Sequence, residues 1–248
     1  MITATTRLVG LLGHPVAHSL SPRMQNAAFA ARALDWAYVA CDVDPDALPA
    51  AVAGLRALGF AGANVTIPHK GAVAGLCDEL DDLSRRSGAV NTLVFPDGGR
   101  IVGANTDGPA VVSVLDARGA NVLVLGRGGA ARAVAVALED ASAASVRLVS
   151  RSDADWPPAA DDATILVNAT PLRDEAPVAP HGGQQVADLA YRTDGRPTAL
   201  VAAAREAGCA TVVDGLEILA RQGAAAFELW TGVSAPIDVM RAAVARIV

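Results

Sequence analysis

The chain has 248 residues, of which 52% are hydrophobic and 19% are charged, and this composition excludes disordered, collagen-like and disulfide-stapled proteins. The formal net charge of −6 at pH 7 argues against non-specific binding to nucleic acid or to an anionic membrane. The three cysteines, Cys41, Cys77 and Cys209, form no CxxC motif, so we expect no metal site and a reducing, cytoplasmic environment.

Apolar runs of strand length alternate along the chain with stretches of helical periodicity. The predicted strands are residues 7–12, 36–42, 63–67, 90–95, 100–104, 121–125, 146–150, 164–168, 186–188 and 210–213. Most intervals between them have room for one helix, which is typical of βαβ units and predicts an α/β fold. Residues 96–99 are too few for a crossover connection and predict a hairpin turn.

The predicted hairpin interrupts the βα alternation in the middle of the chain. After it, residues 107–119 have a helical pattern, and a second βα series begins at Asn121. We therefore expect a domain boundary near residue 107. Beyond Val213 the pattern is purely helical.

Two serines lie at the predicted start of the first helix. Ser21 followed by Pro22 fits an N-cap and a first helical position. The buried face of that helix would consist of Met24, Ala27, Ala28 and Ala31. With Ser19, two hydroxyl groups lie at the positive end of the helix, where they can bind a small carboxylate together with backbone amides. A helix cap with an incidental neighbouring serine explains the same residues.

The segment NVTIPHK at 64–70 is a buried strand that Pro68 stops, and it delivers Lys70 to the predicted start of a helix. Open α/β sheets bind ligands at the carboxyl ends of their strands. A lysine at a helix start is unfavourable beside the helix dipole, so it either extends into water or is held by an anionic partner. Asp107, which follows the hairpin, is a candidate partner, and Asn91 starts the first strand of the hairpin.

The strand at 121–125 runs into GRGGAA at 126–131 and then into an alanine-rich helix, a GxGxxA pattern typical of dinucleotide-binding turns. Gly126 permits the tight turn, Gly128 lets the backbone approach a pyrophosphate, and Ala131 lets the helix lie close to the strand. An ordinary strand–helix turn is the alternative interpretation.

The next strand ends in Ser-Arg-Ser at 150–152, where NAD-binding folds usually have an acidic residue for the adenine ribose. Arg151 at this point favours NADP, because a guanidinium can pair with the 2′-phosphate; a surface arginine, with NAD as the cofactor, is the alternative. Asp153 and Asp155 would repel that phosphate if they share its surface. We therefore expect a weak preference for NADP.

These motifs, in this order, resemble those of the shikimate dehydrogenases, and the resemblance extends over nearly the whole chain. It implies a smaller α/β substrate domain built from both chain ends, 1–107 with 216–248, a Rossmann-type domain at 108–215, and a cleft between them. It also implies that Lys70 and Asp107 form the catalytic pair, to which we assign the transferred proton. The implied substrate ligands are Ser19, Ser21, Thr66 and Tyr191 for a carboxylate, and Asn64, Asn91, Asp107 and Gln222 for ring hydroxyls. The implied cofactor ligands are Gly126, Gly128, Gly129, Ala130, Arg151, Asn168, Thr170 and Gly215.

The resemblance implies the reversible NADP-dependent reduction of 3-dehydroshikimate to shikimate, a step of aromatic amino acid biosynthesis, by a monomer or homodimer. A quinate or aminoshikimate dehydrogenase on the same scaffold is a close alternative. A dinucleotide-sensing regulator without turnover is an alternative of another class, and the presence of both Lys70 and Asp107 argues against it. One departure from the family pattern lies at 172–174, where Leu-Arg-Asp replaces x-Gly-Met. A second lies in the NADP loop, where Asp155 takes the place of a second arginine, and Arg127 either compensates for that arginine or points to solvent.

Overall fold

The computed structural model describes residues 2–96 and 99–245, and these divide into two compact units. The first unit contains residues 2–106 and 220–245, and the second contains Asp107–Leu219. Asp107 and residues 216–219 therefore lie in the second unit, whereas the sequence placed them with the first. Among the described residues, no helix is both long enough and apolar enough to span a membrane.

The strands and helices follow the predicted alternation. In chain order they are β1 (Arg7–Gly13), α1 (Ser21–Ala31), β2 (Trp36–Asp42), α2 (Leu48–Ala57), β3 (Gly62–Val65), β4 (Glu79–Leu80), α3 (Asp82–Ser87), β5 (Thr92–Val94), β6 (Val102–Ala104), α4 (Asp107–Val112), β7 (Asn121–Leu125), α5 (Gly129–Asp140), β8 (Ser145–Val149), β9 (Ile165–Asn168), β10 (Gln185–Asp188), α6 (Ala199–Glu206), β11 (Thr211–Val213), α7 (Gly215–Thr231) and α8 (Ile237–Ala245). All the strands predicted from the sequence are present. Strand β4 was not predicted, because two residues are too few to show a period.

The first unit is built on a six-stranded sheet in the order β2-β1-β3-β5-β6-β4. Strands β1, β2 and β3 are parallel, whereas β5 pairs antiparallel with both β3 and β6. The pairing of β5 with β6 confirms the predicted hairpin; Asp97 and Gly98 of its predicted turn lie outside the described residues. Leu12, Val65 and Leu93 of this sheet pack with the apolar face of α2.

Helix α1 packs on the rest of the first unit through Met24, Ala28 and Phe29, which are almost completely buried. The ring of Phe29 stacks on that of Phe227 in α7, with centroids 5.4 Å apart. The predicted buried face was right at Met24 and Ala28 and wrong at Ala31, which is exposed. The large ring of Phe29 contributes the buried area that the small side chain of Ala31 could not.

The second unit is built on a five-stranded, all-parallel sheet in the order β11-β10-β9-β7-β8. Val122 and Val124 of β7 belong to one apolar cluster with α5, and Leu123 and Leu125 belong to another with α6. Helices thus cover both faces, which is why the central strand β7 is an almost continuous apolar run. The doubly wound sheet confirms the predicted Rossmann-type fold class. Its order reverses between β7 and β9, the point at which such sheets bind ligands.

Candidate active site and dinucleotide loop

Two buried asparagines lie side by side in the first unit. Asn64 is in β3 and Asn91 directly precedes β5, and neither is more than 5% exposed. The Nδ2 of Asn64 donates to the Asn91 carbonyl oxygen at 3.2 Å and to the Thr92 hydroxyl at 3.1 Å. Its Oδ1 accepts from the Tyr38 hydroxyl at 2.9 Å. Because a carbonyl oxygen has two lone pairs, Asn64 can also accept a hydrogen bond from a hydroxyl group of a ligand.

The side chain of Asn91 fixes the chain that leads to Asp107. Its Oδ1 accepts from the backbone N–H of Thr106 at 2.8 Å, and its Nδ2 donates to the Thr106 hydroxyl at 2.9 Å. Asp107 follows Thr106 directly, is 6% exposed and is the first residue of α4. The sequence motifs did not indicate Thr106, although it bonds to Asn91 and directly precedes Asp107, which were both candidate site residues.

Lys70 lies in a turn rather than at the start of an α-helix, so the predicted helix start was wrong. Residues 67–71 form this turn, and only a short 3₁₀ segment, Ala72–Leu76, follows it. The buried His69 anchors the turn, because its Nε2 donates to the Val43 carbonyl oxygen at 2.8 Å. The Lys70 carbonyl oxygen accepts from the Val90 N–H at 2.9 Å, which places the turn beside β5. No long helix dipole opposes the lysine here.

Lys70 is the only lysine in the sequence, and all other members of the 20 Lys and Arg residues are arginine. The motif patterns did not reveal this signal, although a count of residue types does. A lysine amine can give up a proton to a substrate, whereas an arginine guanidinium stays protonated in proteins. An arginine at position 70 could therefore not release a proton as a lysine can.

The two serines at the start of α1 are linked to each other. Leu20 is the N-cap of α1 and Ser21 is its first residue, so the predicted cap was wrong by one position. The backbone N–H of Ser21 donates to Oγ of Ser19 at 3.2 Å, and this bond satisfies a donor at the helix start. Ser21 is 7% exposed. Its hydroxyl is not the helix cap, which makes the predicted role in binding a carboxylate separable from helix stability.

Gln222 lies in α7, in the part that belongs to the first unit. The next residue, Gly223, packs so closely on α1 that a Cβ there would lie 2.2 Å from Cε of Met24. The fully buried Gln25 donates from Nε2 to the Gly223 carbonyl oxygen at 2.9 Å. These contacts fix the position of Gly223, and with it Gln222, relative to α1. No sequence pattern indicated the role of Gln25. Tyr191 is half-buried in the loop after β10, in the second unit.

The glycine-rich loop after β7 has the geometry that a dinucleotide requires. Gly126 has a φ of +116°, and a Cβ there would lie 3.2 Å from the Ala169 carbonyl oxygen. Gly128 is the N-cap of α5 in an extended conformation, with no cap side chain over the amides of the first turn. A Cβ added at Gly128 would meet no atom within 4 Å. Helix amides without a capping side chain, at Gly129 and Ala130, suit the pyrophosphate of a dinucleotide.

The two acids that we expected to repel a phosphate, Asp153 and Asp155, are each paired with an arginine. Arg127 pairs with Asp153 at 2.8 Å, and Arg147 pairs with Asp155 at 3.3 Å. The Ser150 N–H and Arg127 hold the pKa of Asp153 below its usual range. Arg127 is thus committed to an ion pair, and both acids have a positive partner.

Arg151, the predicted partner of a 2′-phosphate, also has a carboxylate partner. It pairs with Glu175 in the loop after β9, and both side chains are 60% exposed. The two residues are 24 positions apart, so no local sequence pattern indicates this contact.

Asn168, at the end of β9, is bonded within the second unit. Its Oδ1 accepts from the N–H and the hydroxyl of Thr170 at 3.0 and 2.6 Å, and its Nδ2 donates to Asp188 at 2.8 Å. The fully buried Asp188 also accepts from the Thr198 hydroxyl at 2.5 Å and from the Ala190 N–H at 2.9 Å. Burial raises the pKa of Asp188 to about 6, although these hydrogen bonds oppose the shift. Asn168 and Thr170 therefore shape the loop after β9.

The segment at 172–174, which departs from the family pattern, links two loops of the second unit. Asp174 pairs with Arg192, which also pairs with Asp194 at 2.7 Å, so the loop after β9 is joined to the loop after β10. Gly215 starts α7 close to the same region, and a Cβ there would lie 2.2 Å from the Ala190 carbonyl oxygen. The close approach of backbone explains this glycine without reference to a ligand.

Comparison with known proteins agrees with these features. Residues 11–93 match the model of the shikimate dehydrogenase substrate binding domain, and residues 215–245 match that of the shikimate 5′-dehydrogenase C-terminal domain. The curated shikimate dehydrogenase (NADP(+)) of Moorella thermoacetica is 43% identical to this chain, over 96% of this chain and 92% of that protein.

Solved structures agree over the same length. A shikimate dehydrogenase in complex with NADP+ has a TM-score of 0.89 at 35% identity, covering 100% of this chain and 98% of that one. Shikimate 5-dehydrogenase of Thermus thermophilus, in complex with NADP(H) and shikimate, has a TM-score of 0.86 at 34% identity, covering 98% and 100% of the two chains. With the glycine-rich loop on a doubly wound sheet and the buried asparagines of the first unit, this likeness shows that the chain belongs to the shikimate dehydrogenase family.

Proposed function

We propose that this chain catalyses the reversible NADP-dependent reduction of 3-dehydroshikimate to shikimate. The observation that carries the proposal is the full-length similarity to enzymes named shikimate dehydrogenase (NADP(+)), at 43% identity. The local geometry supports it, because a dinucleotide loop and a buried polar cluster are both present in the chain that shows this similarity.

The first unit, with its buried asparagines and linked serines, is the substrate domain in this proposal, and the second unit is the dinucleotide domain. The amides at Gly128, Gly129 and Ala130 hold the pyrophosphate at the start of α5. When bound, NADP(H) supplies or accepts the hydride. The enzyme acts as a monomer or a homodimer.

Reduction of a ketone also requires a proton for the developing alkoxide, and a donor must lie within hydrogen-bond reach of that oxygen. Lys70 and Asp107 form the acid–base pair in this proposal. His69 fixes the turn that carries Lys70, and the Asn91–Thr106 bonds fix the backbone that leads to Asp107. Both groups thus stand on rigid supports, as a positioned acid or base requires.

Most of the groups that hold the substrate in this proposal are uncharged donors and acceptors, and Asp107 is the exception. Ser19 and Ser21 bind its carboxylate at the positive end of α1, with Thr66 and Tyr191, because hydroxyl groups and a helix N-terminus stabilise an anion. The ring hydroxyls bind the remaining polar side chains. These are Asn64, Asn91, Asp107 and Gln222.

The proposal is tested by an initial-rate matrix of shikimate, quinate and aminoshikimate against NADP+ and NAD+. We expect the highest kcat/KM for shikimate with NADP+. A higher value for quinate or aminoshikimate would replace the proposed substrate. Binding of a dinucleotide without turnover of any of the three would favour a regulator, the alternative that the Lys70 and Asp107 pair argues against.

A further inference from the structure

Arg151 and Glu175 belong to the loops that follow β8 and β9, the two strands that flank the strand before the glycine-rich loop. Strands β8 and β9 flank β7, and Leu125 at the end of β7 is in register with Val149 of β8 and Asn168 of β9. The loops that follow β8 and β9 therefore leave the sheet on either side of the turn at Gly126. The Arg151–Glu175 ion pair joins these two loops.

The charges around Arg151 are balanced. Arg127 and Arg147 are each paired with an acid, Asp153 and Asp155, so neither offers an unpaired cation beside Arg151. Glu175 pairs with Arg151 itself. A phosphate dianion that approaches this edge of the second unit thus meets arginines that already have carboxylate partners.

The position of Glu175 is supported by its own loop. The preceding residue, Asp174, pairs with Arg192, which is only 19% exposed and is also held by Asp194. The consecutive carboxylates of Asp174 and Glu175 thus pair with arginines of two different loops. Asp174 belongs to the segment that departs from the family pattern. The pair with Arg192 anchors the loop on one side while Glu175 reaches Arg151 on the other.

We infer that Glu175 is a specificity-determining residue, an intramolecular competitor that occupies the Arg151 guanidinium and must release it before the 2′-phosphate of NADP can bind there. The inference rests on the proposed use of NADP. NAD has no 2′-phosphate, so its binding does not require this release. Glu175 therefore reduces the preference for NADP over NAD below the value that Arg151 alone would give.

The expected effect is moderate, because both side chains are exposed. Exposed ion pairs of this kind correspond to about a two- to fivefold change in an equilibrium constant. A carboxylate left beside a bound phosphate also repels it, which adds to the effect in the same direction. Salt screens both interactions, so the effect should shrink as ionic strength rises.

The test is calorimetric titration of the full chain with adenosine 2′,5′-bisphosphate, NADP+ and NAD+. We expect Glu175→Gln to lower the Kd of the bisphosphate and of NADP+ by about two- to fivefold and to leave the Kd of NAD+ unchanged. In an Arg151→Gln background, Glu175→Gln should lower the Kd of the bisphosphate and of NADP+ by less than it does in the wild type, because the ion pair is then absent and only the repulsion between carboxylate and phosphate remains. An equal effect in both backgrounds would show that Glu175 does not act by occupying Arg151.

The matched control is Glu139→Gln, which changes the net charge equally. Glu139 is exposed near the end of α5, about 15 Å along the helix axis from Gly129. If Glu139→Gln tightened the bisphosphate as much as Glu175→Gln, or if Glu175→Gln changed nothing in a protein with a native melting temperature, the inference would be overturned. Failure of the proposed function is a separate result, since it would appear as absent turnover of shikimate with NADP+ in the wild type.

Discussion

Oδ1 of Asn91 accepts the backbone N–H of Thr106 at 2.8 Å, one residue before Asp107 enters α4. The same carboxamide donates to the Thr106 hydroxyl, and its backbone carbonyl oxygen accepts from Asn64. One residue thus links β3, β5 and the chain that leaves β6. It ties the proposed substrate ligands to the backbone that carries the proposed acid–base carboxylate.

Asn91→Ala should destabilise the protein by about 1–3 kcal/mol, because the buried N–H of Thr106 loses its acceptor. It should also lower kcat, since the backbone before Asp107 is no longer fixed. Urea unfolding and initial rates measure the two effects. Thr106→Val is the control, because it removes only the hydroxyl and retains the backbone bond. Equal losses in both variants would show that the hydroxyl, and not the backbone bond, is the important contact.

Lys70→Ala should lower kcat by about 10² to 10⁴, the usual contribution of a positioned acid or base, and should change KM much less. Asp107→Asn should behave similarly. Lys70→Arg separates charge from proton transfer, because a guanidinium keeps the charge and does not release its proton. Steady-state rates at saturating shikimate check this, and near-native kcat in Lys70→Arg would contradict a proton-transfer role.

Ser21→Ala should raise KM for shikimate by the equivalent of about 1–3 kcal/mol, because a charged acceptor loses a hydroxyl donor. Since Leu20 is the N-cap, the melting temperature without ligand should hardly change. Thermal melting and substrate kinetics therefore report on different roles. A lowered melting temperature with an unchanged KM would assign Ser21 to the fold alone.

Asp188→Asn should change the pH dependence of stability. Burial raises the pKa of Asp188 to about 6, above its ordinary value of 3.8, so the folded protein binds more protons than the unfolded chain between these pH values. The contribution of Asp188 to the unfolding free energy is therefore greatest below about pH 4 and is lost as the pH rises through about 6, by up to about 3 kcal/mol.

Asparagine retains an acceptor for the Asn168 amide and the Ala190 N–H, while its NH₂ can donate to the Thr198 hydroxyl. The variant should thus gain stability relative to the wild type as the pH is raised from about 4 to about 7. Unfolding by urea at several pH values measures this difference. A constant difference across that range would mean that Asp188 does not titrate as its burial indicates.

Gly126→Ala should mainly lower the stability of the protein, whereas Gly128→Ala should mainly weaken the binding of NADP+. Alanine at Gly126 must adopt a φ of +116° beside the Ala169 carbonyl oxygen, so we expect a loss of about 1–3 kcal/mol in unfolding free energy. Alanine at Gly128 meets no protein atom, so stability should change by less than about 1 kcal/mol while the methyl group obstructs the pyrophosphate. Melting and NADP+ titration together check this; unimpaired NADP+ binding in Gly128→Ala would contradict the assignment of the loop.

The strands were predictable because a parallel sheet covered on both faces leaves apolar runs such as that of β7, and the turn at Gly126 was predictable because a positive φ requires glycine. The start of α1 was predicted one residue late, since Ser19 and Ser21 both suit a helix start and only the fold decides between them. The pairing of Arg151 with Glu175 and the buried contacts of Asp188 join segments distant in sequence. Local patterns contain no information on such contacts.

Because the sequence has a single lysine, in the turn that the buried His69 anchors, a lysine-specific label reports on this one turn. Apart from the α-amino group of the chain, an amine-directed reagent has one target, Lys70. Incorporation of lysine enriched with ¹⁵N at the side-chain amine likewise yields one side-chain nitrogen resonance, assigned without mutagenesis. Any ligand that alters the surroundings of this amine can thus be followed at one known nitrogen atom in the unmodified wild-type protein.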